Sequence, residues 1–563
     1  MDVDVTSLRN RRAVQRWDRV SVGDLFERLT WSYPDKDAIV AWDGACADPA
    51  LARVSYRTAD ELANRLANAM LARGLAPGDR VLLVCENSVE AYLTKIAVAK
   101  AGLTCVPINP MLAPDVVAYL IGRVEPGLSI VDAELWATAA PAFAQHDLTP
   151  DVTIEIGGGV IDGSCSWPDF IADAPATEPA VEIHGDDIWE IIFTSGTTAM
   201  PKGAMISHTY SYLGGYSFAL THSRGARIEC DLKLLSFLPL IYHIADQIMS
   251  FPAFLCGGTL IMGRGFDAGQ VAAALAGERA TALWSGSPAM LGAVARALQD
   301  GGHDAGCLRS VIYGWTAAHP DLIAQLKRLC GDELVAVEIL GQTEAISCHR
   351  FWPDKWPELF ARTAPELNYV GVPNPMVAAD VWDVEGNSLR GTPGVPGEVV
   401  YRSPVVTAGY YRDEEATRAA FRGGWFHSGD VCQYDEDGLR IMVDRAKDIV
   451  KSGGENVSSL RVESVLVQHP SITAAAVVGL PHDRWGEAVT AFVICAPGEA
   501  ESLDGDDVVG FCRAKLAGFE TPKRVVAVPE LPVTVGGKVL KYKLRDRYAA
   551  LYESEDPPAG DPA

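Results

Sequence analysis

The sequence predicts an α/β protein in which mostly parallel sheets are covered by helices. Apolar strands and helices alternate along the chain, as in the strand at residues 81–85, the helix at residues 89–100 and the strand at residues 103–108. This alternation is typical of parallel sheets. The chain has 563 residues, which is too many for one ordinary hydrophobic core, so two or more domains are expected.

The first helix with a clear start signal begins near Thr58. Thr58 and Glu61 have the spacing of a capping box, and apolar side chains recur at helical spacing from Leu62 to Met70. Gly74 follows the last of them, as expected at the end of a helix. A helix is therefore predicted from Thr58 to the residue before Gly74.

The remaining elements divide between the middle and the end of the chain. Strands are predicted at residues 188–193 and 310–313. A compact α+β segment follows, with helices near 461–468 and 506–516 and strands near 474–478 and 489–494. Residues 1–20 are polar and are expected to form a loosely held arm, and residues 549–563 are expected to form an acidic flexible tail.

Composition excludes several classes of partner. The formal net charge of −25 disfavours nucleic acids and anionic membranes. Twelve cysteines are scattered without a CxxC pair, which is typical of buried thiols in a reducing compartment. No apolar run has the length of a membrane span, and no apolar stretch follows Arg11 and Arg12 as it would in a signal peptide. A cytoplasmic enzyme is expected.

The loop after the strand at residues 188–193 has the chemistry of a phosphate site. Its hydroxyls and amides suit phosphate oxygens, and Lys202 supplies a positive charge. A Walker A loop is excluded, because Pro201 precedes the lysine and Gly203 follows it. The candidate nucleotide-binding residues of the loop are Thr194, Ser195, Gly196, Thr197, Thr198 and Lys202.

This loop resembles the phosphate-binding signature of the adenylate-forming enzymes, and among them the chain is most similar to acyl-CoA ligases. Ala199 departs from the pattern, which has glycine there. The resemblance implies a large domain of mostly parallel sheets with a small barrel-like subdomain over residues 21–444. It also implies a hinge at residues 445–448 and a small mobile α+β domain over residues 449–548.

Further motifs extend the resemblance in the family's order. Tyr242 and His243 match a segment beside the acyl pocket that gates the thiol tunnel, if one residue such as Ile241 is extra. A lone histidine is more often structural, so both interpretations of His243 stay open. The segment implied to line the acyl pocket contains Gly314, Trp315, Thr316 and Ala317. Trp315 replaces a small residue of the family, either as a packing residue or as a ligand contact.

The resemblance also assigns roles in the nucleotide site. It implies that Gly341 and Gln342 border the nucleotide, that Thr343 contacts the α-phosphate and that Glu344 helps to hold Mg²⁺. Leu340 replaces the tyrosine that the family carries near adenine. Asp430 is the candidate for the ribose hydroxyls.

The implied roles of the hinge and the small domain follow from three further motifs. Arg445 reaches the nucleotide and Lys447 is the pivot. The CoA tunnel is lined by Ser452, Gly453 and Gly454. Lys538 neutralises charge between the carboxylate and the α-phosphate. The motifs at residues 371–373, 396–398 and 409–410 are expected to be turns.

The implied activity is that of an acyl-CoA ligase using ATP, Mg²⁺ and coenzyme A, with a carboxylic acid or its adenylate as substrate. Because Ala199, Trp315 and Leu340 depart from the family where nucleotide is held, we expect weak adenylation and an intact thioester-forming half, with a separate adenylating enzyme as a possible partner. A complete ligase with neutral drift is an equal alternative. An amide synthetase or carrier-protein loader and a non-catalytic adenylate-binding protein are the others.

Overall fold

The computed structural model describes residues 16, 19–42, 44–109, 112–194, 200–222, 231–496, 498–499, 503–533 and 539–552. Its strands are β1 Asp37–Trp42, β2 Arg53–Ser55, β3 Arg80–Val84, β4 Thr104–Pro107, β5 Leu128–Asp132, β6 Val152–Ile154, β7 Cys165–Ser166, β8 Ile188–Thr194, β9 Lys202–Ser207, β10 Lys233–Ser236, β11 Thr259–Gly263, β12 Ala282–Trp284, β13 Ser310–Gly314, β14 Val335–Gln342, β15 Ala345–Phe351, β16 Asn368–Pro373, β17 Ala378–Trp382, β18 Gly397–Arg402, β19 Phe426–Tyr434, β20 Arg440–Arg445, β21 Val450–Ser452, β22 Glu455–Val457, β23 Ile472–His482, β24 Gly486–Cys495 and β25 Arg524–Ala527.

The helices cover the sheets and connect most of the parallel strands. They are α1 Asp24–Ser32, α2 Tyr56–Ala72, α3 Val89–Lys100, α4 Pro114–Val124, α5 Trp136–Ala144, α6 Trp167–Ile171, α7 His208–His222, α8 Phe251–Leu255, α9 Ala268–Gly277, α10 Pro288–Gly301, α11 Pro320–Cys330, α12 Pro357–Thr363, α13 Glu414–Ala420, α14 Ser459–Leu466, α15 Gly505–Arg513 and α16 Lys541–Arg547. Short 3₁₀ turns lie at Pro49–Leu51, Ala133–Leu135 and Arg422–Gly424, and a π-helix spans Ile244–Ser250.

Three sheets organise the described chain. A seven-stranded sheet has the order β7-β6-β5-β3-β4-β8-β9 and is parallel apart from the β8–β9 pair. A thirteen-stranded sheet has a parallel centre, β14-β13-β12-β10-β11-β1. Five antiparallel strands, β16 to β20, continue this sheet at one end. The third sheet contains β21 to β25. The predicted fold class is confirmed.

The two large sheets share one hydrophobic core. Every residue of α3 is buried, and this helix packs in a cluster that includes Leu83 of β3 and Leu260 of β11. The buried Lys95 and Lys100 of this helix are paired with the carboxylates of Glu190 and Asp60, so the helix is accommodated in the interior. The third sheet has separate clusters around Val489 and Phe492.

Some local predictions from the sequence are wrong. Residues 371–373, predicted to form a turn, end strand β16, and residues 397–398 of the motif at 396–398 begin strand β18. Helix α2 begins at Tyr56, and its N-cap is Ser55, whose hydroxyl accepts a hydrogen bond of 3.2 Å from the backbone N–H of Thr58. Thr58 therefore lies inside the first turn, and the capping box with Glu61 does not form. Ser55 is as good an N-cap residue as threonine, and it also ends β2.

The ends of the chain are only partly described. Arg19 is buried and its guanidinium pairs with the Asp24 carboxylate at 2.9 Å, so the described end of the predicted N-terminal arm is anchored on α1. Residues 553–563 of the predicted tail lie outside the described residues. Among the helices that the structure describes, none combines the length and the apolar character needed to cross a bilayer.

Candidate active site

A cavity of about 1010 Å³ lies where the carboxyl ends of parallel strands from both large sheets meet. Ligands of α/β proteins commonly bind at this edge of a sheet. Strand β8 delivers Thr194 and strand β14 delivers Gln342, and both line the cavity. Arg445 is the last residue of β20, about 100 residues after Gln342 in the sequence, and it lines the same cavity.

One corner of the cavity combines hydroxyl, carboxylate and ammonium groups. The Thr194 hydroxyl donates to Glu344 Oε1 at 3.3 Å. The Tyr410 hydroxyl donates to the same oxygen at 3.0 Å, and Lys202 Nζ lies 5.3 Å from the centre of the Tyr410 ring. Residues 150 positions apart along the chain are thus joined at one corner, which suits a charged, metal-bearing ligand.

The predicted phosphate loop is described only at its two ends. Thr194 and Pro201 line the cavity. The candidate residues Ser195, Gly196, Thr197 and Thr198, and the departure Ala199, lie outside the described residues.

His243 and Thr343 form a contact in the middle of the cavity wall. Thr343 Oγ1 and His243 Nδ1 are 3.0 Å apart, and both residues line the cavity. Burial lowers the pKa of His243 to about 3, so its imidazole is neutral near pH 7. Its Nε2 is buried without a hydrogen-bond partner among the described residues. A neutral imidazole beside a hydroxyl positions that hydroxyl without adding charge.

The candidate sugar site is held by an ion pair between two adjacent strands. Asp430 on β19 pairs in register with Arg445 on β20, and Arg445 Nε lies 3.2 Å from Asp430 Oδ1. Asp430 is buried, whereas its neighbours Ser428 and Gly429 line the cavity. The Gln342 amide donates to the Ser428 carbonyl at 3.3 Å. Gly341 precedes Gln342 in β14 and does not itself line the cavity.

Two of the five candidate acyl-pocket residues line the cavity, namely Tyr242 and Trp315. Gly314 is buried at the end of β13, where a Cβ atom would approach the Ile339 carbonyl oxygen to 2.8 Å. Thr316 is exposed and Ala317 is half-buried, and neither lines the cavity.

The backbone of Trp315 is strained. Its φ of 72° lies in the left-handed region, which costs an L-residue about 1–2 kcal/mol. Such strain is often found at functional sites.

The hinge and small-domain candidates separate into two groups. Lys447 lines the cavity, and burial, with Arg445 nearby, lowers its pKa. Gly453 and Gly454 have φ values of 62° and 89° and form the turn of the β21–β22 hairpin, for which two glycines are well suited. This turn and the buried Ser452 do not line the cavity.

Lys538 lies outside the described residues. Val533 and Leu540, which flank that gap, both line the cavity.

Glu86, Asn109 and Tyr410 are among the cavity residues that were not predicted as site residues. Glu86 follows β3, and Asn109 follows β4 and donates to the Tyr242 hydroxyl at 2.9 Å. Their position after parallel strands was an available signal. Tyr410 was expected to form part of a turn. No local pattern indicates its contact with Glu344, because the sheet topology creates that contact.

The carboxylate of Glu344 suits Mg²⁺ bound with a nucleotide. The hydroxyls of Thr194 and Tyr410 both donate to Oε1 of Glu344, and Glu344 lines the cavity. Across the described residues, no group of three or more His, Cys, Asp or Glu residues is placed to hold a metal ion. A single carboxylate is nevertheless the usual protein share of a magnesium site when phosphates and water provide the other ligands.

Comparison with known proteins gives two family matches. A model described as "AMP-binding enzyme" matches residues 26–411. A second, described as "AMP-binding enzyme C-terminal domain", matches residues 461–538. The second match includes β23, β24 and β25 of the third sheet.

Individual proteins are similar over nearly the whole chain. A feruloyl-CoA synthase from Amycolatopsis sp. is 32% identical over 499 residues, which are 88% of this chain and 94% of that protein. Among solved structures, ATP-bound MatB from Rhodopseudomonas palustris has a TM-score of 0.80 and 29% identity, with 94% of this chain and 99% of that chain covered. The amide bond synthetase McbA from Marinactinospora thermotolerans has a TM-score of 0.77 and 28% identity, with 94% and 100% covered.

Proposed function

The chain belongs to the AMP-binding enzyme family and is an acid–thiol ligase, and we propose that it joins a hydrophobic or aromatic carboxylic acid to coenzyme A through an acyl-adenylate. The family chemistry uses ATP, Mg²⁺ and CoA. The observation that carries the proposal is the convergence of Thr194, Lys202 and Glu344 on the cavity that Arg445 also lines.

In the first half-reaction, a carboxylate oxygen of the acid attacks the α-phosphorus of ATP, and the bond to pyrophosphate breaks. We assign Thr194 and Lys202 to the phosphates, Thr343 to the α-phosphate and Asp430, held by Arg445, to the ribose. Mg²⁺ at Glu344 would neutralise phosphate charge. Lys538 is the proposed cation between the carboxylate and the α-phosphate. Positioning and charge stabilisation of this kind account for most of the catalysis of phosphoryl chemistry.

In the second half-reaction, the CoA sulphur attacks the acyl carbon, the bond to the AMP oxygen breaks and AMP leaves as the anion. The thiol proton passes to solvent. We propose that the small domain first turns about Lys447 and brings the Gly453–Gly454 turn to the cavity. In this structure Leu540, and not the Gly453–Gly454 turn, lines the cavity. This arrangement suits adenylation, because Lys538 is close to Leu540 in the sequence and is the proposed cation of that half-reaction. Rotations of this type are common in enzymes with two half-reactions.

We further propose that adenylation is the weaker half. Ala199, Leu340 and Trp315 depart from the family pattern, and the strained Trp315 supports this interpretation. The test supplies acid, ATP and labelled pyrophosphate in one assay, and synthetic acyl-adenylate with CoA in another. Slow exchange with rapid thioester formation is expected, and would imply that another enzyme supplies the adenylate. Exchange as fast as thioester formation would establish a complete ligase.

A second candidate is transfer of the acyl group to an amine. The similarity to an amide bond synthetase favours it. Incubation of synthetic acyl-adenylate with either CoA or a panel of amines separates the two, because thioester and amide products differ in stability to hydroxylamine. Amide formation without thioester formation would replace the proposed acceptor.

A further inference from the structure

We propose that the Trp315 indole is a plug that limits the acid to a compact one, either a short aliphatic acid or an acid with a single ring. This inference rests on the proposed function, because it concerns the acyl end of the same cavity. It identifies Trp315 as a specificity-determining residue.

The indole is held in place from behind. Trp315 and Trp284 pack edge to face, with ring centres 5.9 Å apart and planes at 63°. A Cβ atom built on Gly286 would lie 3.1 Å from Cζ3 of Trp315, so the backbone of Gly286 is against the ring. Such edge-to-face packing is a favoured geometry for aromatic pairs, so Trp284 and the backbone of Gly286 support the indole on this side.

Apolar side chains continue behind the indole. The same Cβ position on Gly286 would lie 2.9 Å from Met290 Sδ and 3.1 Å from Leu238 Cδ1. Trp315 lines the cavity, whereas Trp284, Met290 and Leu238 do not. The indole therefore separates the cavity from an apolar region into which an acyl chain would otherwise extend.

The backbone at this position favours a smaller residue. A φ of 72° suits glycine and strains tryptophan. The indole is thus retained at a conformational cost. Trp315→Gly removes the ring and the strain together, and is expected to fold.

Binding of acyl-sulfamoyl-adenosine compounds tests the plug without turnover. Calorimetry would use the acetyl, benzoyl, hexanoyl and decanoyl compounds with the full chain and with Trp315→Gly. The wild type is expected to bind the acetyl and benzoyl compounds more tightly than the decanoyl compound. In the variant, the Kd of the decanoyl compound relative to the acetyl compound is expected to fall by at least about tenfold, since one methylene alone can change discrimination about 10–200-fold.

Three further variants sharpen the test. Trp315→Phe should give an intermediate profile. Met290→Ala should leave the profile unchanged, because the indole lies between Met290 and the cavity, whereas Trp315→Gly combined with Met290→Ala should extend the range beyond Trp315→Gly. The effects of the two substitutions on the Kd ratio would then be coupled rather than additive. If Trp315→Gly lacks a cooperative melting transition, Trp315→Ala takes its place in the comparison.

Two failures are distinguishable. Equal Kd ratios in the wild type and Trp315→Gly would overturn the plug and leave the proposed function intact. Absence of binding by all four compounds to the wild type would overturn the proposed function itself.

Discussion

The Tyr410 hydroxyl donates a 3.0 Å hydrogen bond to Glu344 Oε1. Tyr410 also presents its ring to Lys202, whose Nζ lies 5.3 Å from the ring centre. One side chain thus contacts both the proposed magnesium ligand and the proposed phosphate cation. Glu344 is held in one orientation before any nucleotide binds, which is the usual requirement of a preorganised metal site.

Tyr410→Phe should weaken the apparent affinity for magnesium while sparing the cation–π contact. The substitution keeps the ring and removes only the hydroxyl, and a hydrogen bond to a charged group contributes about 1.5–3 kcal/mol. The Mg²⁺ concentration at half-maximal adenylation is expected to rise about tenfold or more. Titration of pyrophosphate exchange with Mg²⁺ measures it. Tyr411→Phe is the matched control, because Tyr411 packs against a hydrophobic cluster and does not line the cavity. An unchanged Mg²⁺ titration would show that the Tyr410 hydroxyl does not contribute to magnesium binding.

His243→Phe should slow adenylation by a factor that does not change between pH 5 and 9. The variant removes the partner of the Thr343 hydroxyl. Burial keeps the pKa of His243 at about 3, so the wild-type imidazole does not ionise in this range. A loss of about tenfold in kcat/KM is expected, which corresponds to one hydrogen bond of about 1 kcal/mol or slightly more. The test is to measure kcat/KM of the wild type and of the variant between pH 5 and 9 and to plot their ratio against pH. His319→Ala, at an exposed position, is the control. An inflection in this ratio near pH 6.5 would contradict the prediction that His243 stays neutral across this pH range.

The sequence predicted the fold far better than it predicted contacts between distant elements. Strand and helix periodicity placed α3 at residues 89–100, as observed, because a helix buried on all sides has a strong local signal. Strand β8 was predicted within one residue. The N-cap of α2 was placed at Thr58 instead of Ser55, because several residue types cap equally well.

The candidate site shows the same division. Motifs placed Thr194, Thr343 and Glu344 at strand ends, where parallel topology brings them together. Tyr410 lies 66 residues beyond Glu344, and only the folded sheet joins them. The left-handed backbone of Trp315 was also beyond prediction, since no local pattern calls for tryptophan at positive φ.

Lys95→Met should strongly destabilise the protein. Lys95 is buried between two carboxylates, Glu190 at 2.6 Å and Asp246, the latter on the π-helix that follows His243. Removing one partner of a buried ionic group typically costs about 3–5 kcal/mol. Chemical denaturation is expected to show a loss of this size, whereas Arg418→Ala, in an exposed pair, should have little effect.

The loss in Lys95→Met should grow with pH. Burial raises the pKa of Glu190 to about 7, above its unfolded value, and loss of the opposing ammonium raises it further, so the folded state binds more protons than the unfolded state. Stability then falls as pH rises above about 4.5. A smaller difference from wild type at pH 5 than at pH 8 is expected. A difference below about 1 kcal/mol at pH 8 would show that the network contributes little.

The affinity for the acid should decrease as pH rises through 7, because of Glu86. This side chain lines the cavity, and its burial raises its pKa to about 7, with Asp132 and Glu134 raising it and Arg264 opposing them. Below pH 7 the carboxyl is neutral, and above pH 7 its negative charge repels the substrate carboxylate. A repulsion of about 1 kcal/mol corresponds to about fivefold in KM.

Glu86→Gln isolates this effect, since the amide is neutral at every pH. The variant should match the wild type at pH 6 and have about fivefold lower KM for the acid at pH 8, in assays that follow AMP release. Glu415→Gln, on the exposed helix α13, should keep the wild-type profile. If KM changed with pH in the same way in the wild type and in Glu86→Gln, Glu86 would be too far from the acid to affect its binding. The pH dependence would then come from another group that lines the cavity. Lys447 is the first candidate, because burial lowers its pKa and it loses positive charge as pH rises.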